Sequence, residues 1–261
     1  MNSSIKEMKV KKRKIGKEIL VGIVLDRSGS MSKVQCSTIE GYNQYLGELE
    51  SKKETKYSVT TTLFDSPAGR IELSKLCSNT PIDKAPRLNV SNYEPRGMTP
   101  LYDAIGMTIH EMDAANDGRP KLLMIITDGY ENDSKDYNNE QIKALIEKKE
   151  REGWTFVFMG ANIDSYAVGS TIGLKSANVM NYTAGQEVAT FAMAAVGTSN
   201  YASNRVATNS LRQASGEGFF DHVTKVEPPM IAIGSVEIKP LPIVKQTPAP
   251  RSTVGTHRPL R

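Results

Sequence analysis

Short, fully apolar runs alternate along the chain with stretches in which apolar residues recur every three or four positions. That alternation predicts a parallel sheet covered by helices on both faces. The first run, Ile19 to Leu25, reads as a buried strand, and Ile39, Tyr42, Leu46 and Leu49 then fall on one helical face. Tyr57 to Phe64 and Gly69 to Leu73 read as an antiparallel hairpin, because Asp65-Ser66-Pro67-Ala68 between them is turn chemistry. The second of these is expected at a sheet edge.

From Cys77 to Met98, three prolines, three asparagines and the lack of a sustained period predict a long irregular connection. Thr99-Pro100 then starts a helix, with Pro at the first helical position and Leu101, Ile105, Ile109 and Met112 on its inner face. Gly118 and Pro120 close it. Leu122 to Ile126 is a second fully apolar strand, and Ile142, Leu145 and Ile146 mark the next helix. Trp154 to Met159 is a strand, Asp164 to Leu174 a short helix and Ala177 to Asn181 a last short strand. Thr183-x-x-Gln186 reads as a capping box opening a helix to about Val196. The fold class is α/β: a doubly wound, mostly parallel, Rossmann-like sheet of order 3-2-1-4-5-6 with an antiparallel edge strand.

Composition separates the ends from the body. Residues 1–18 carry seven Lys and Arg against two acids, and residues 228–261 carry five against one. The net charge of +4 therefore leaves a mildly acidic centre between basic ends. The expected organisation is a basic arm at 1–18, a domain at 19–200, a polar connector at 201–227 and a Pro-rich, extended tail at 228–261. Met230–Ile233 and Val236–Ile238 could add one strand to a sheet edge. No nucleic-acid-binding motif occurs in either end, so a nucleic-acid partner is not expected. The longest apolar run has seven residues, far short of the roughly 20 of a membrane-spanning helix, and no small-residue cleavage site follows it. Two cysteines, Cys36 and Cys77, lack metal-type spacing and fit a reducing, cytoplasmic compartment.

The chemistry gathers where the first strand ends. Asp26-Arg27-Ser28-Gly29-Ser30 puts one carboxylate and two hydroxyls at alternate positions, with Gly29 expected to tighten the turn. Oxygens so placed suit a hard cation such as Mg²⁺, which takes six oxygens and keeps waters where protein donors run out. Asp128, in Thr127-Asp128-Gly129, ends the neighbouring buried strand, so both carboxylates would face the crevice at the topological switch point. Thr99 has a hydroxyl that can cap its helix. Asp103 reads as an acid favoured by the helix dipole, Asp65 as a turn residue, and Glu131, Asp133 and Asp136 as solvated rim charges. His110, His222 and His257 are scattered, and Gly169-x-x-x-Gly173 reads as a helix end.

These pieces together resemble the von Willebrand factor type A domain family. Its metal-ion-dependent adhesion site joins an Asp-x-Ser-x-Ser loop to a later Thr and a later Asp. Asp26, Ser28 and Ser30 match the loop, Thr99 in Arg96-Gly97-Met98-Thr99-Pro100-Leu101 the Thr, and Asp128 the Asp. The resemblance covers about residues 18 to 200, and the motifs are similar to those of small stand-alone bacterial and phage members. It implies a metal site made of Asp26, Ser28, Ser30, Thr99 and Asp128, occupied by Mg²⁺ or alternatively Mn²⁺. It further implies a protein partner that presents an Asp or Glu to the ion, with Thr99 joining and leaving the metal as the site changes state. An assembly component, of a phage or another complex and anchored by the tail, is the alternative. A Mg²⁺-dependent phosphatase is disfavoured, because that chemistry needs Asp-x-Asp and Ser28 stands at the second position. No enzymatic activity is expected.

Overall fold

The structure is a computed structural model that describes residues 18–115, 117–207 and 218–220. The basic arm up to residue 17, most of the polar connector, the Pro-rich tail and its two short apolar runs lie outside these residues.

Among the described residues six strands form one sheet, in the order β3-β2-β1-β4-β5-β6. They are β1 (Glu18–Asp26), β2 (Lys56–Asp65), β3 (Glu72–Pro81), β4 (Lys121–Thr127), β5 (Thr155–Ala161) and β6 (Val179–Tyr182). All pairings are parallel except β2 with β3. The helices are α1 (Gln35–Glu50), α2 (Leu101–Ala114), α3 (Asn139–Arg151), α4 (Ser165–Thr171) and α5 (Glu187–Ala207). The predicted fold class is the observed one.

Alternation along β1 explains the two-layer core. Ile19, Val21, Ile23 and Leu25 pack with Tyr42, Leu46, Phe191 and Ala194 of α1 and α5. Leu20 and Val24 join Leu101, Ile105 and Ile109 of α2, Ile142 and Ile146 of α3, and Ile172 after α4. Strands buried on both faces lose the polar alternation of half-buried ones, which is why β1 and β4 read as continuous apolar runs. Gly22 of β1 faces α2 so closely that a Cβ there would stand 2.2 Å from Met112 Sδ and 2.5 Å from Leu123 Cδ1.

Several boundaries depart from expectation. β3 extends through Pro81 rather than ending at Leu73, so the irregular connection starts later. Of Ser74 to Pro81 only Cys77 is buried, and an edge strand with so little buried surface carries no apolar signal. α5 continues to Ala207 rather than about Val196, because its polar second half packs on α1: Tyr201 and Ala202 are buried, and the Tyr45 and Thr198 hydroxyls lie 3.0 Å apart. Pro100 stands just before α2 instead of at its first position.

Replacing Gly22 by Ala is expected to lower stability by about 1–3 kcal/mol through overpacking against Met112 and Leu123. Urea unfolding followed by circular dichroism measures it.

Candidate functional site

The parallel sheet ends its strands at one edge, and the loops after β1, β2 and β4 meet there with the segment preceding α2. Backbone bonds fasten three of these pieces. Arg27 N–H donates to Phe64 O (2.8 Å), Arg96 N–H to Arg27 O (2.8 Å) and Gly29 N–H to Gly97 O (3.1 Å), while Ser66 and Met98 exchange bonds of 3.1 and 3.2 Å. Gly97 makes the approach possible: its φ is +67°, and a Cβ there would lie 2.3 Å from Ser66 O. Conformational freedom is therefore required at Gly97. Gly29, expected to tighten its turn, has no positive φ and opens a 3-10 turn, Gly29–Val34.

On this frame the five sequence-predicted residues come together. The Asp26 carboxylate is fully buried, accepting the Ser28 N–H (2.6 Å) on one oxygen and the Thr127 hydroxyl (2.5 Å) on the other. Ser28 Oγ and Ser30 Oγ are 3.1 Å apart, and Ser30 Oγ donates to Asp128 Oδ1 at 2.5 Å. Thr99 is buried, and a Cβ on Gly129 would stand 3.2 Å from Thr99 Oγ1 and 3.8 Å from Ser30 Oγ. Thr99 Oγ1, Ser30 and the loop of Asp128 thus border one small space. Tyr93 supports it from below, its hydroxyl donating to Asp26 O at 2.6 Å.

Charge distinguishes these carboxylates from a third at the same edge. Asp65 ends β2, is fully buried, and is gripped by Arg27 (2.8 Å) and Arg96 (2.7 Å). Arg96 also pairs with Glu72. Asp65 is thus a structural anion rather than only a turn residue. Among the described residues Asp26 and Asp128 form no such ion pair. Burial, the main cause, pushes the Asp26 carboxyl up to about 7 and raises that of Asp128, with exposed Lys33 offsetting the latter only in part. One buried carboxylate and one half-buried carboxylate, neither paired with a Lys or Arg among the described residues, form with three hydroxyls an all-oxygen donor set suited to a hard divalent ion. Among the described residues no cluster of three His, Cys, Asp or Glu side chains exists, so the hydroxyls are essential to any such set.

Several residues read as peripheral are integral. Asp103 is buried and accepts the N–H groups of Lys135 (2.9 Å), Asp136 (3.0 Å) and Tyr137 (2.8 Å). Glu131 accepts the Tyr102 N–H at 2.9 Å, and Asp133 accepts from the Ser66 hydroxyl. Asn132 clasps Thr99 from both sides: its Oδ1 accepts the Thr99 N–H (2.7 Å) and its N–H donates to Thr99 O (3.2 Å). Sequence offered no local signal for these contacts, since each joins residues between 29 and 67 positions apart. His110 is exposed beside the Tyr137 ring, and Gly173 ends α4 with a φ of +86°, as expected.

Two stability predictions follow from the charges. Asp65→Ala should cost about 3–5 kcal/mol, because it strands the buried Arg27 guanidinium. Asp26 behaves oppositely when no metal is bound. A carboxyl whose folded pKa lies above its unfolded value contributes stability below the unfolded value, and loses it as pH rises toward about 7. In chelator, wild type should therefore fall in stability between pH 4 and 7 relative to Asp26→Asn, at up to about 1.4 kcal/mol per unit. Unfolding midpoints of the two proteins across that range measure the difference.

The family profile of the von Willebrand factor type A domain matches residues 21–194. Among solved structures, the manganese-loaded TRAP protein of Plasmodium vivax superposes with a TM-score of 0.50 at 16% identity, over 67% of this chain and 72% of that one. The vWF domain of the type V pili tip protein Mfa5 from Porphyromonas gingivalis gives 0.51 at 10% identity, over 72% and 94%. Proximal thread matrix protein 1 of the mussel byssus gives 0.48 at 15% identity, and this chain covers 45% of it. No curated protein matches the chain in sequence. The profile spans two thirds of the chain, so the chain belongs to the von Willebrand factor type A domain family.

Proposed function

We propose that this protein is an adhesion-type, Mg²⁺-dependent protein-interaction module, and that Asp26, Ser28, Ser30, Thr99 and Asp128 hold the ion. The observation that carries the reading is a buried Asp26 and a half-buried Asp128 beside three hydroxyls, neither carboxylate ion-paired among the described residues, while Asp65 at the same edge is neutralised by two arginines. Two negative charges balance a divalent ion, and hydroxyls add donors without charge. The bound ion would supply an electrophilic position for an Asp or Glu of a partner protein. Mn²⁺, an oxygen-seeking ion of the same charge, is the alternative occupant, and the manganese-loaded TRAP structure supports that choice.

Exposed Met98 and Tyr130 directly flank Thr99 and Gly129 and give a partner apolar contact beside the ion. Cys36 and Cys77 are both free thiols, which supports a reducing, cytoplasmic setting. Among the described residues no helix is long and apolar enough to cross a membrane. The Pro-rich segment 228–261 serves in this reading as a tether beyond the domain.

Calorimetric titration of Mg²⁺ and Mn²⁺ into the chelator-stripped full chain tests the site. Wild type is expected to bind one ion, and Asp26→Asn and Asp128→Ala to bind none while keeping their circular dichroism spectra. Unchanged titration in both variants would remove the assignment. Asp26-dependent hydrolysis of p-nitrophenyl phosphate in Mg²⁺ would replace binding with catalysis.

A further inference from the structure

The segment before α2 contains a conflict that the fold resolves. Thr99 followed by Pro100 is a competent helix start, and the hydroxyl of such a residue normally accepts the backbone N–H two or three positions on. Three positions on is Tyr102. Its N–H is already taken: it donates to Glu131 Oε2 at 2.9 Å. The next N–H, of Asp103, donates to Ser134 Oγ at 3.1 Å. α2 therefore starts with no side-chain cap from its own flanking residue. Its cap comes from the loop after β4 instead.

That loop is held in shape to do so. Glu131 Oε1 accepts the N–H groups of Asp133 (2.9 Å) and Ser134 (2.7 Å), and the Ser134 hydroxyl donates to Glu131 Oε2 at 2.7 Å. Asn132 meanwhile fixes the Thr99 backbone through both of its polar groups. Among the described residues Thr99 Oγ1 has no hydrogen-bond partner, and it lies on the side of Gly129 and Ser30.

We infer that Glu131 is a positioning residue for the cation site: by occupying the Tyr102 N–H, it denies the Thr99 hydroxyl its capping role and keeps that oxygen free for the ion. The inference rests on the reading of Thr99 as a ligand, and it assigns to Glu131 no contact with the ion. Without Glu131, the Thr99 hydroxyl turns to the Tyr102 N–H, and the ion must break that bond to recruit it.

A double-mutant cycle on the full chain, read as Mg²⁺ affinity by calorimetry, isolates this role. Glu131→Ala should weaken Mg²⁺ binding about fivefold, the size of one capping bond, and Glu131→Gln about twofold, because its amide oxygen still accepts one N–H. Thr99→Ala should itself weaken binding, and on that background both Glu131 substitutions should cost nothing further. Equal losses in both backgrounds would overturn the inference, since a merely structural Glu131 is indifferent to the residue at 99. Unchanged affinity in both Glu131 variants would overturn it as well. If Thr99→Ala leaves affinity unchanged, the ligand assignment of Thr99 fails, and the inference fails with it. The Gln cycle decides the matter alone if Glu131→Ala does not fold.

Discussion

Two carboxylates brought side by side at the strand ends, one fully buried and one half-buried, form the constraint around which this end of the sheet is arranged. Asp26 and Asp128 follow adjacent parallel strands, so the β1–β4 pairing that builds the core also forces their carboxylates into one crevice. Hydrogen bonds from Ser28, Thr127 and Ser30 soften the cost of burial, yet burial still raises both carboxyls. A fold that retains such a pair carries a local debt that only a proton or a cation removes. The rest of the edge is built to prevent cheaper escapes. The loops are zipped by backbone bonds, and Arg27 and Arg96 are committed to Asp65.

That commitment is the role of Asp65. It ends β2 as Asp26 ends β1, and in a bare sequence the two look alike. Asp65 draws Arg27 and Arg96 away from the crevice, although Arg27 lies between Asp26 and Ser28 in the chain. Had Arg27 turned to Asp26 instead, the crevice would have lost its need for a cation. Alternation of side chains along an extended segment sends residue 27 to the opposite side from 26 and 28. The Asp-x-Ser spacing is thus partly a device for keeping an arginine out of the site.

Much of this was legible in advance, for reasons tied to particular residues. β1 and β4 are apolar on both faces, and strand ends in a parallel sheet carry ligands, so Asp26 and Asp128 were readable without any structure. Thr99 was readable through its Pro100 neighbour and through the family resemblance. The second half of β3 and the end of α5 were not, because one is a polar edge and the other is held by tertiary packing of Tyr201 and Ala202 on α1. Nor were Asp103, Glu131 and Asn132. Each acts through backbone N–H groups far away in sequence, and every residue offers the same N–H. Charge patterning sees only an acidic loop, which is why Glu131 reads as a solvated rim charge, while Asp103 reads as an acid favoured by the helix dipole.

The acidic loop after β4 therefore has a different character from the one its composition suggests. A carboxylate near a helix N-terminus is favourable wherever it comes from, and supplying it from a neighbouring loop separates two tasks that a capping threonine would combine. α2 keeps its cap from Glu131 and Ser134 whatever Thr99 does. Thr99 can then change its contacts without fraying the helix that carries Leu101, Ile105 and Ile109 into the core. In the proposed reading, a hydroxyl that joins and leaves a cation belongs at a position whose movement costs the fold little. The contacts of Glu131, Asn132 and Ser134 make position 99 such a place.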